Sequence, residues 1–378
     1  MDHNKFYTKQ VSLSEWLKSL GLNDYSETFQ SEDNTKRERL KVVSEYIQIP
    51  FDDPIYKCSL EDILTFEDNF QRFFETNSHK LCALRLVSND INLPKLRIRG
   101  LSITEAIQSW LPQQEVALKN AEKYSASIIP HTSTNTFSTI FICNKEGLYG
   151  EIIHGGHYQL TQGFIDPGNI IFPFYFDFKN WHFPQNIPID LKKGAIESVE
   201  FIHVENGDTR LALMKEVNST FSFNYINGYF ETAASDEYGI WFIDYNRLLD
   251  KGFDGSKLFT PEVINQIGSK TKDVQLKGRV AMHGRGIGRL MLINLDDDLN
   301  IIPNEDYIIL CDMTSPDYLG LMKSSKFVVT KQGGILSHAA ITCRELKIPC
   351  VVGVGNTVDN FINEIVIIDT EHQSIKIA

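Results

Sequence analysis

The tightest constraint on the fold lies near the C-terminus, in TKQGGILSHAAITCRELKIPCVVGVG over residues 330–355. An apolar strand ends at Thr330, and Gly333-Gly334 then permit a tight turn whose backbone can approach a ligand closely. Ser337 suits the N-cap of a helix, because its hydroxyl can accept a hydrogen bond from a first-turn amide. Residues 339–346 have helix-forming composition with an apolar stripe, Ile348-Pro349 stop that helix, and residues 350–354 return as a buried strand. Residues 277–378 as a whole alternate in this way and predict a compact α/β unit.

This pattern places His338 in the first turn of the helix. There the open N–H groups and the helix dipole favour negative charge, by about 0.3–1 kcal/mol per exposed interaction. The same field disfavours imidazolium, so the helix start by itself is expected to bias the ring towards its neutral, nucleophilic form. A phosphoryl group bonded to that ring would sit among amide donors. In an isolated Ser-His-Ala-Ala such a histidine would more often cap or pack, so the longer string carries the reading.

That string resembles the swivelling phosphohistidine domain of the phosphoenolpyruvate-utilising enzymes, which include phosphoenolpyruvate synthase, pyruvate phosphate dikinase, the rifampin phosphotransferases and enzyme I of the phosphotransferase system. The resemblance rests on Gly333-Gly334, Ser337-His338-Ala339-Ala340, Arg344-Glu345-Leu346 and Ile348-Pro349-Cys350-Val351-Val352-Gly353. Met313-Thr314-Ser315-Pro316-Asp317-Tyr318 matches the family's turn ahead of them. The likeness covers nearly all of residues 277–378. It implies that His338 carries a phosphoryl group, with Gly333, Gly334 and Ser337 shaping its seat. Leu336 departs from the threonine of many relatives, which bears on regulation through that threonine and not on phosphoryl chemistry.

In the ATP-using members the phosphoryl donor is held by an ATP-grasp domain, and residues 81–245 carry partial resemblances to one. Ala83-Leu84-Arg85-Leu86, with Asp90 and Leu93-Pro94 behind it, resembles the family's Val-Arg-Ser-Ser to Asp-Leu-Pro segment. This implies a nucleotide-phosphate contact for Arg85, with Arg97 and Arg99 sharing the charge, since a planar guanidinium offers paired bonds to phosphate. Gly147-Leu148-Tyr149-Gly150-Glu151 resembles Gly-Leu-Gly-Glu, which implies Glu151 at the nucleotide. Phe230-Glu231 and Trp241-Phe242-Ile243-Asp244 resemble the paired strands that usually read Ile-Glu-Phe and Leu-Gln-x-Arg. Glu231 and Asp244 could then converge on Mg²⁺, which prefers carboxylates and substrate phosphates. Single carboxylates on solvent-facing strands are ordinarily plain surface groups, so the order of the matches carries this part. There are departures: Asp244 stands where Gln is common, Asn246 falls near the usual Arg, Tyr149 replaces a glycine, and no N-terminal phosphate-holding lysine is identifiable.

The expected fold class is α/β (α+β). Residues 1–80 form a helical N-terminal part, with Leu13, Trp16, Leu17 and Leu20 at helical spacing. An ATP-grasp-like nucleotide-binding domain spans 81–245, a linker 246–276, and a swivelling β/β/α phosphohistidine domain 277–378. Strands are predicted at 82–87, 127–130, 138–143 and 150–154, and a helix at 104–123. A second β-rich stretch over 195–245 includes 210–215, 228–233 and 239–243. A chain of 378 residues suits two or three such domains.

Composition narrows the partners. The formal net charge of -12 argues against a nucleic-acid groove. Six cysteines without C-x-x-C pairing read as free thiols in a reducing compartment. The N-terminus lacks the apolar core of a signal peptide, and the apolar runs at 307–311 and 361–368 are far too short to span a bilayer. A cytoplasmic protein without nucleic-acid or membrane partners is expected.

The resemblance implies an ATP-dependent phosphotransferase of the dikinase type, using ATP and Mg²⁺. It would pass a phosphoryl group through His338 to a small-molecule acceptor, with AMP and phosphate as by-products. Pyruvate-using relatives carry a barrel domain and the rifampin enzymes a drug-binding insert; residues 246–276 are too short for either. The acceptor is therefore expected at residues 1–80, on a separate subunit, or in a cleft. Two alternatives remain: a non-hydrolysing regulatory or carrier subunit phosphorylated at His338 by a partner, or one subunit of a split synthase. Lesser signals are set aside. Gly284 to Gly288 lacks the full dinucleotide spacing. His154-Gly155-Gly156-His157 reads as a turn or a nucleotide loop before it reads as a metal site. Asp296-Asp297-Asp298 reads as a solvated hairpin, and His131 to Thr134 is polar enough to touch phosphate.

Overall fold

The computed structural model describes residues 31–32, 35–90, 93–132, 134–163, 165–251, 253–259, 276–294, 303, 305–314 and 318–378. The helical expectation at Leu13, Trp16, Leu17 and Leu20, the Asp296 to Asp298 hairpin and Ser315-Pro316-Asp317 lie outside these residues. Helices and strands are mixed along the chain, and all six cysteines are free. The described residues fall into two units, one of 50–135 with 235–239 and the other of 31–49, 136–234 and 240–378.

The smaller unit is built on an antiparallel sheet of β1 (Tyr56–Ser59), β2 (Leu81–Ser88), β3 (Leu96–Ser102) and β4 (Tyr124–Pro130), in the order β1-β4-β2-β3. Along β2 every second residue points to the core, so Cys82, Leu84 and Leu86 are buried while Arg85 faces the other way. Leu60, Ile63 and Phe70 from two helices fill the same core. The first of these, Leu60–Leu64, opens with a reciprocal cap between Ser59 and Asp62. Because β1 pairs with β4, residues before and after 81 share one sheet and one core. The helix expected at 104–123 is broken into short turns. Pro112 lies in the break, in the 3₁₀ turn Leu111–Gln113, where its ring and missing N–H do not let an α-helix continue.

Among its described residues the larger unit holds two large sheets and one two-stranded sheet. The first comprises β5 (Phe137–Asn144), β6 (Gly147–His154), β7 (Phe172–Phe176) and β8 (Trp181–His182); past a small pairing of β9 (Phe221–Ser222) with β10 (Tyr225–Ile226) come β11 (Gly228–Ser235) and β12 (Gly239–Asn246). Their order is β12-β11-β5-β6-β7-β8. Helices α1 (Lys36–Ile47), α2 (Ile189–Glu200) and α3 (Gly207–Val217) accompany it. Residues 210–215, expected in the β-rich stretch, are helical. Asn206 caps α3 by accepting from the Asp208 and Thr209 amides, and Asn218 ends it in a left-handed conformation.

The second sheet comprises β13 (Arg279–Met282), β14 (Arg285–Ile293), β15 (Tyr307–Cys311), β16 (Phe327–Thr330), β17 (Cys350–Val352), β18 (Ile365–Asp369) and β19 (Ser374–Ile377), in the order β13-β17-β16-β15-β14-β18-β19. Strands β14 to β17 are parallel, with antiparallel strands at both edges. β15 is buried at every residue, which is why it reads as an unbroken apolar run. Gly288, part of the glycine run in β14, touches backbone: a Cβ there would lie 2.7 Å from the Asp306 carbonyl oxygen. Close strand packing therefore explains that glycine. Helix α4 (His338–Glu345) connects β16 to β17.

Leu310, with no exposed surface, lies on β15, the middle strand of this sheet. Leu310→Ala is expected to cost about 2–5 kcal/mol of unfolding free energy, read as a lowered urea midpoint for the larger unit.

Candidate functional site

The chain leaves β16 at the carboxyl end of the parallel strands, where open α/β sheets ordinarily place their ligands. Neighbouring strand ends hold the loop there. The Lys331 and Gln332 amides donate to the Cys311 and Asp312 carbonyls, and the Val354 and Gly355 amides donate to the Thr330 and Lys331 carbonyls. Ser337 then caps α4, its Oγ accepting from the Ala340 amide at 3.4 Å. His338 is the first residue of that helix, as the sequence predicts. Arg344, near the end of α4, returns its Nη1 to the Ile335 carbonyl at 2.6 Å and so ties the turn to the helix it precedes.

Glu151 meets this turn from β6. It is fully buried, and its Oε1 and Oε2 accept from the Ile335 and Leu336 amides, each at 3.0 Å. Arg279 of β13 donates to Oε1 from Nη1 at 2.7 Å and to the Ile171 carbonyl from Nη2 at 2.5 Å. Gly334 lies directly against the carboxylate: a Cβ there would come within 2.3 Å of Oε2. Gln332 accepts from the Ile165 amide through its side-chain oxygen at 3.1 Å, and Gly163 packs on Gly333.

A second acidic group lies on β11 and β12, which are adjacent strands. Glu231 is 7% exposed; its Oε2 pairs with His157 Nε2 at 3.0 Å and its Oε1 accepts from the Tyr229 hydroxyl at 2.8 Å. Burial alone would raise this carboxyl. The His157 hydrogen bond and charge, with the charges of Lys36 and His338, outweigh burial and hold it below the usual range. His338 is thus close enough to Glu231 to act on it electrostatically. Burial, with Glu231 and Asp244 nearby, pushes the Tyr229 hydroxyl well up, so it stays a donor. Asp244 Oδ2 is 2.7 Å from Lys36 Nζ on α1.

The structure therefore gathers His338, Glu231, Asp244, Lys36 and His157 in the larger unit. Lys36 and His157 are what sequence reasoning missed. Lys36 is a lysine ahead of the strands, of the kind the sequence left unplaced, but it lies 208 residues from Asp244 and no local pattern marks it. His157 stood in a recognised His-Gly-Gly-His turn. Its fellow His154 pairs separately with Asp190 at 2.8 Å, so the two rings do not share a ligand. Among the described residues no group of three or more His, Cys, Asp or Glu is arranged around a metal. Two hard carboxylates on neighbouring strands nonetheless fit Mg²⁺, which commonly takes one or two protein carboxylates and completes its shell with substrate phosphates and water.

Arg85, Arg97 and Arg99 lie in the smaller unit. Arg85 and Arg97 are partners across β2 and β3, and Arg99 follows two residues on, so all three share the face away from Leu84 and Leu86. Arg85 Nη2 is 3.5 Å from Asp52. Burial and nearby Arg99 lower the His131 ring to about 4, which keeps it neutral.

The position of Lys36 depends on a buried ion network at the start of α1. Glu32, 4% exposed, binds Arg247 through several hydrogen bonds, and Arg39 donates to the Tyr245 carbonyl at 2.9 Å and to the Glu32 carbonyl at 2.9 Å. Burial would raise the Glu32 carboxyl, but the Arg247 hydrogen bonds and the charges of Arg39 and Arg247 bring it below its usual 4.5.

Residues 303–373 match the family described as PEP-utilising enzyme, mobile domain. The chain is 40% identical over 90 residues to the probable phosphoenolpyruvate synthase of Methanothermobacter thermautotrophicus, covering 24% of this chain and 13% of that protein. It is 35% identical over 130 residues to the phosphoenolpyruvate synthase of Pseudomonas aeruginosa, covering 30% of this chain and 16% of that one. The chain thus spans only a small part of the length of these relatives. Among solved structures, phosphoribosylamine–glycine ligase from Thermotoga maritima overlaps 72% of this chain and 64% of its own at a TM-score of 0.32 and 15% identity. The D-alanine–D-alanine ligase from Bacillus anthracis complexed with ATP overlaps 59% and 61% at a TM-score of 0.27 and 12% identity. Overlaps this loose establish no shared fold.

Glu32→Gln leaves Arg39 and Arg247 without their counter-charge and is expected to cost about 3–5 kcal/mol, read from urea unfolding at pH 7. Because the folded-state carboxyl titrates below its usual 4.5, its contribution is complete above that value and is lost as pH falls through the lower one. Stability of the variant should accordingly decline less steeply on the acid side than that of the parent.

Proposed function

We propose, because the chain belongs to the phosphoenolpyruvate-utilising enzyme family through its mobile domain, that it is an ATP-dependent phosphotransferase carrying the phosphoryl group on His338. The observation that carries this reading is the position of His338: it opens a Ser337-capped helix at the carboxyl ends of parallel strands, within electrostatic reach of Glu231. Phosphotransferase chemistry is what the family supports in general.

In this reading, residues 81–245 act as an ATP-grasp-like nucleotide-binding domain and residues 277–378 as the swivelling arm. Lys36 neutralises phosphate oxygens of ATP, while a nucleotide-phosphate role for Arg85, Arg97 and Arg99 of the smaller unit rests on the sequence resemblance alone. Glu231 and Asp244 would hold Mg²⁺, whose contribution is to neutralise and align the phosphates. The His338 ring attacks the β-phosphorus as a nucleophile: a nitrogen–phosphorus bond forms as the bond from that phosphorus to the AMP oxygen breaks, and water then takes the γ-phosphoryl group away as phosphate, leaving the β-phosphoryl group on the ring. First-turn amides then stabilise the phosphoryl group on the ring. His157 and Tyr229 hold Glu231 ionised and fixed in direction. The arm delivers the group to a small-molecule acceptor. Among the described residues no helix is long and apolar enough to cross a membrane, and the proposed setting is the cytoplasm.

The test is incubation of the full chain with ATP labelled at the β- or γ-phosphate, followed by acid treatment. The parent should acquire acid-labile β-label and His338→Ala none. Lys36→Met should slow labelling by about 100-fold, the scale for losing one preorganised charge at a transferring group. Label appearing only after a second protein is added would favour a carrier subunit over an enzyme. Absence of label under any condition would defeat the reading.

A further inference from the structure

The resemblance of residues 147–151 implies a nucleotide contact for Glu151, yet its carboxylate is engaged by the turn that carries the histidine. Both oxygens are occupied, by the Ile335 amide and Arg279 on one and by the Leu336 amide on the other. The group has no exposed surface, so an ionised carboxylate there requires this full set of partners. On the Gly334 side there is not even space for a methyl group. No surface of Glu151 is left to face a phosphate.

Ile335 and Leu336 immediately precede the Ser337 cap and the His338 ring. The Ser337 amide donates to the Gly334 carbonyl at 3.2 Å, and Arg344 binds the Ile335 carbonyl, so a shift of either amide moves the cap and the ring with it. The partners come from both large sheets of the larger unit: Glu151 and the Ile171 carbonyl from one side, Arg279 and the turn from the other. The network therefore exists only when the histidine arm is seated against β6.

We propose that Glu151 is a positioning residue for phosphoryl transfer, seating the 333–336 turn so that His338 is aligned with its donor, and that it makes no contact with the nucleotide. This rests on the phosphohistidine reading above and concerns how the ring is placed. Gly334 belongs to the same device. Its backbone is not in the left-handed region, so a side chain there is excluded by the Glu151 carboxylate and not by conformation.

The test is a double-mutant cycle in the full chain. Glu151→Ala and Gly334→Ala are each expected to slow labelling of His338 by about 100-fold, the scale for a misplacement of about 1 Å. ATP affinity, measured by calorimetry, should change by less than about twofold, since only alignment is lost. The double variant should be no slower than the slower single one, because removing the carboxylate makes room for the new methyl group. Losses that multiply, or weakened ATP binding in Glu151→Ala, would overturn the proposal. Should the parent protein take no label, the phosphohistidine reading falls by itself and amide exchange decides the seating separately. Glu151→Gln, which keeps the side-chain volume, should make the Ile335 and Leu336 amides exchange at least about tenfold faster than in the parent. Equal rates would show that Glu151 does not hold the turn.

Discussion

A single buried carboxylate joins the two large sheets of the larger unit. Glu151 projects from β6, and its partners are a guanidinium from β13 and two amides from the turn after β16. An apolar contact between sheets could slide by an ångström at little cost. Three directional bonds to one carboxylate, with Arg279 held in turn by the Ile171 carbonyl and Gly334 closing the space behind, define a single seat. Around them Ile153, Leu160 and Ile171 pack in one core with Ile335, Leu336 and Ala340, so the polar network is dry and its geometry matters.

The acidic group on β11 and β12 follows a different logic. Glu231 is hydrogen-bonded by His157 and Tyr229 and Asp244 is paired with Lys36, so two carboxylates coexist on adjacent strands. Lys36 can do this because α1 is fixed at its start by Glu32, Arg39 and Arg247, whose bonds reach the end of β12. A helix early in the chain and strands two hundred residues later thus form one electrostatic unit. In the proposed reaction Lys36 meets the phosphates of the donor, and the helix N-terminus at His338 receives the transferred group.

The local chemistry of the site was legible at once. Ser337 caps, His338 begins the helix, Pro349 follows its end, and β16 and β17 flank it, because capping, turn formation and helix termination act over a few residues. The strands at β2, β5, β6, β11 and β12 were equally readable from their apolar runs. Where the reading failed, the cause was also local: residues 210–215 look strand-like until Asn206 is recognised as a cap, and residues 104–123 look helical until Pro112 is given its full weight.

Sequence alone determined the seat of the histidine and the character of its helix, since both follow from short-range hydrogen bonding between neighbours in the chain. Only the tertiary structure decided which side chains face that seat. Lys36 reaches Asp244, His157 reaches Glu231, and Glu151 meets the Ile335 and Leu336 amides across separations of 208, 74 and more than 180 residues. Such pairings depend on strand order and sheet packing, and burial makes them strong by removing water, but no spacing along the chain announces them.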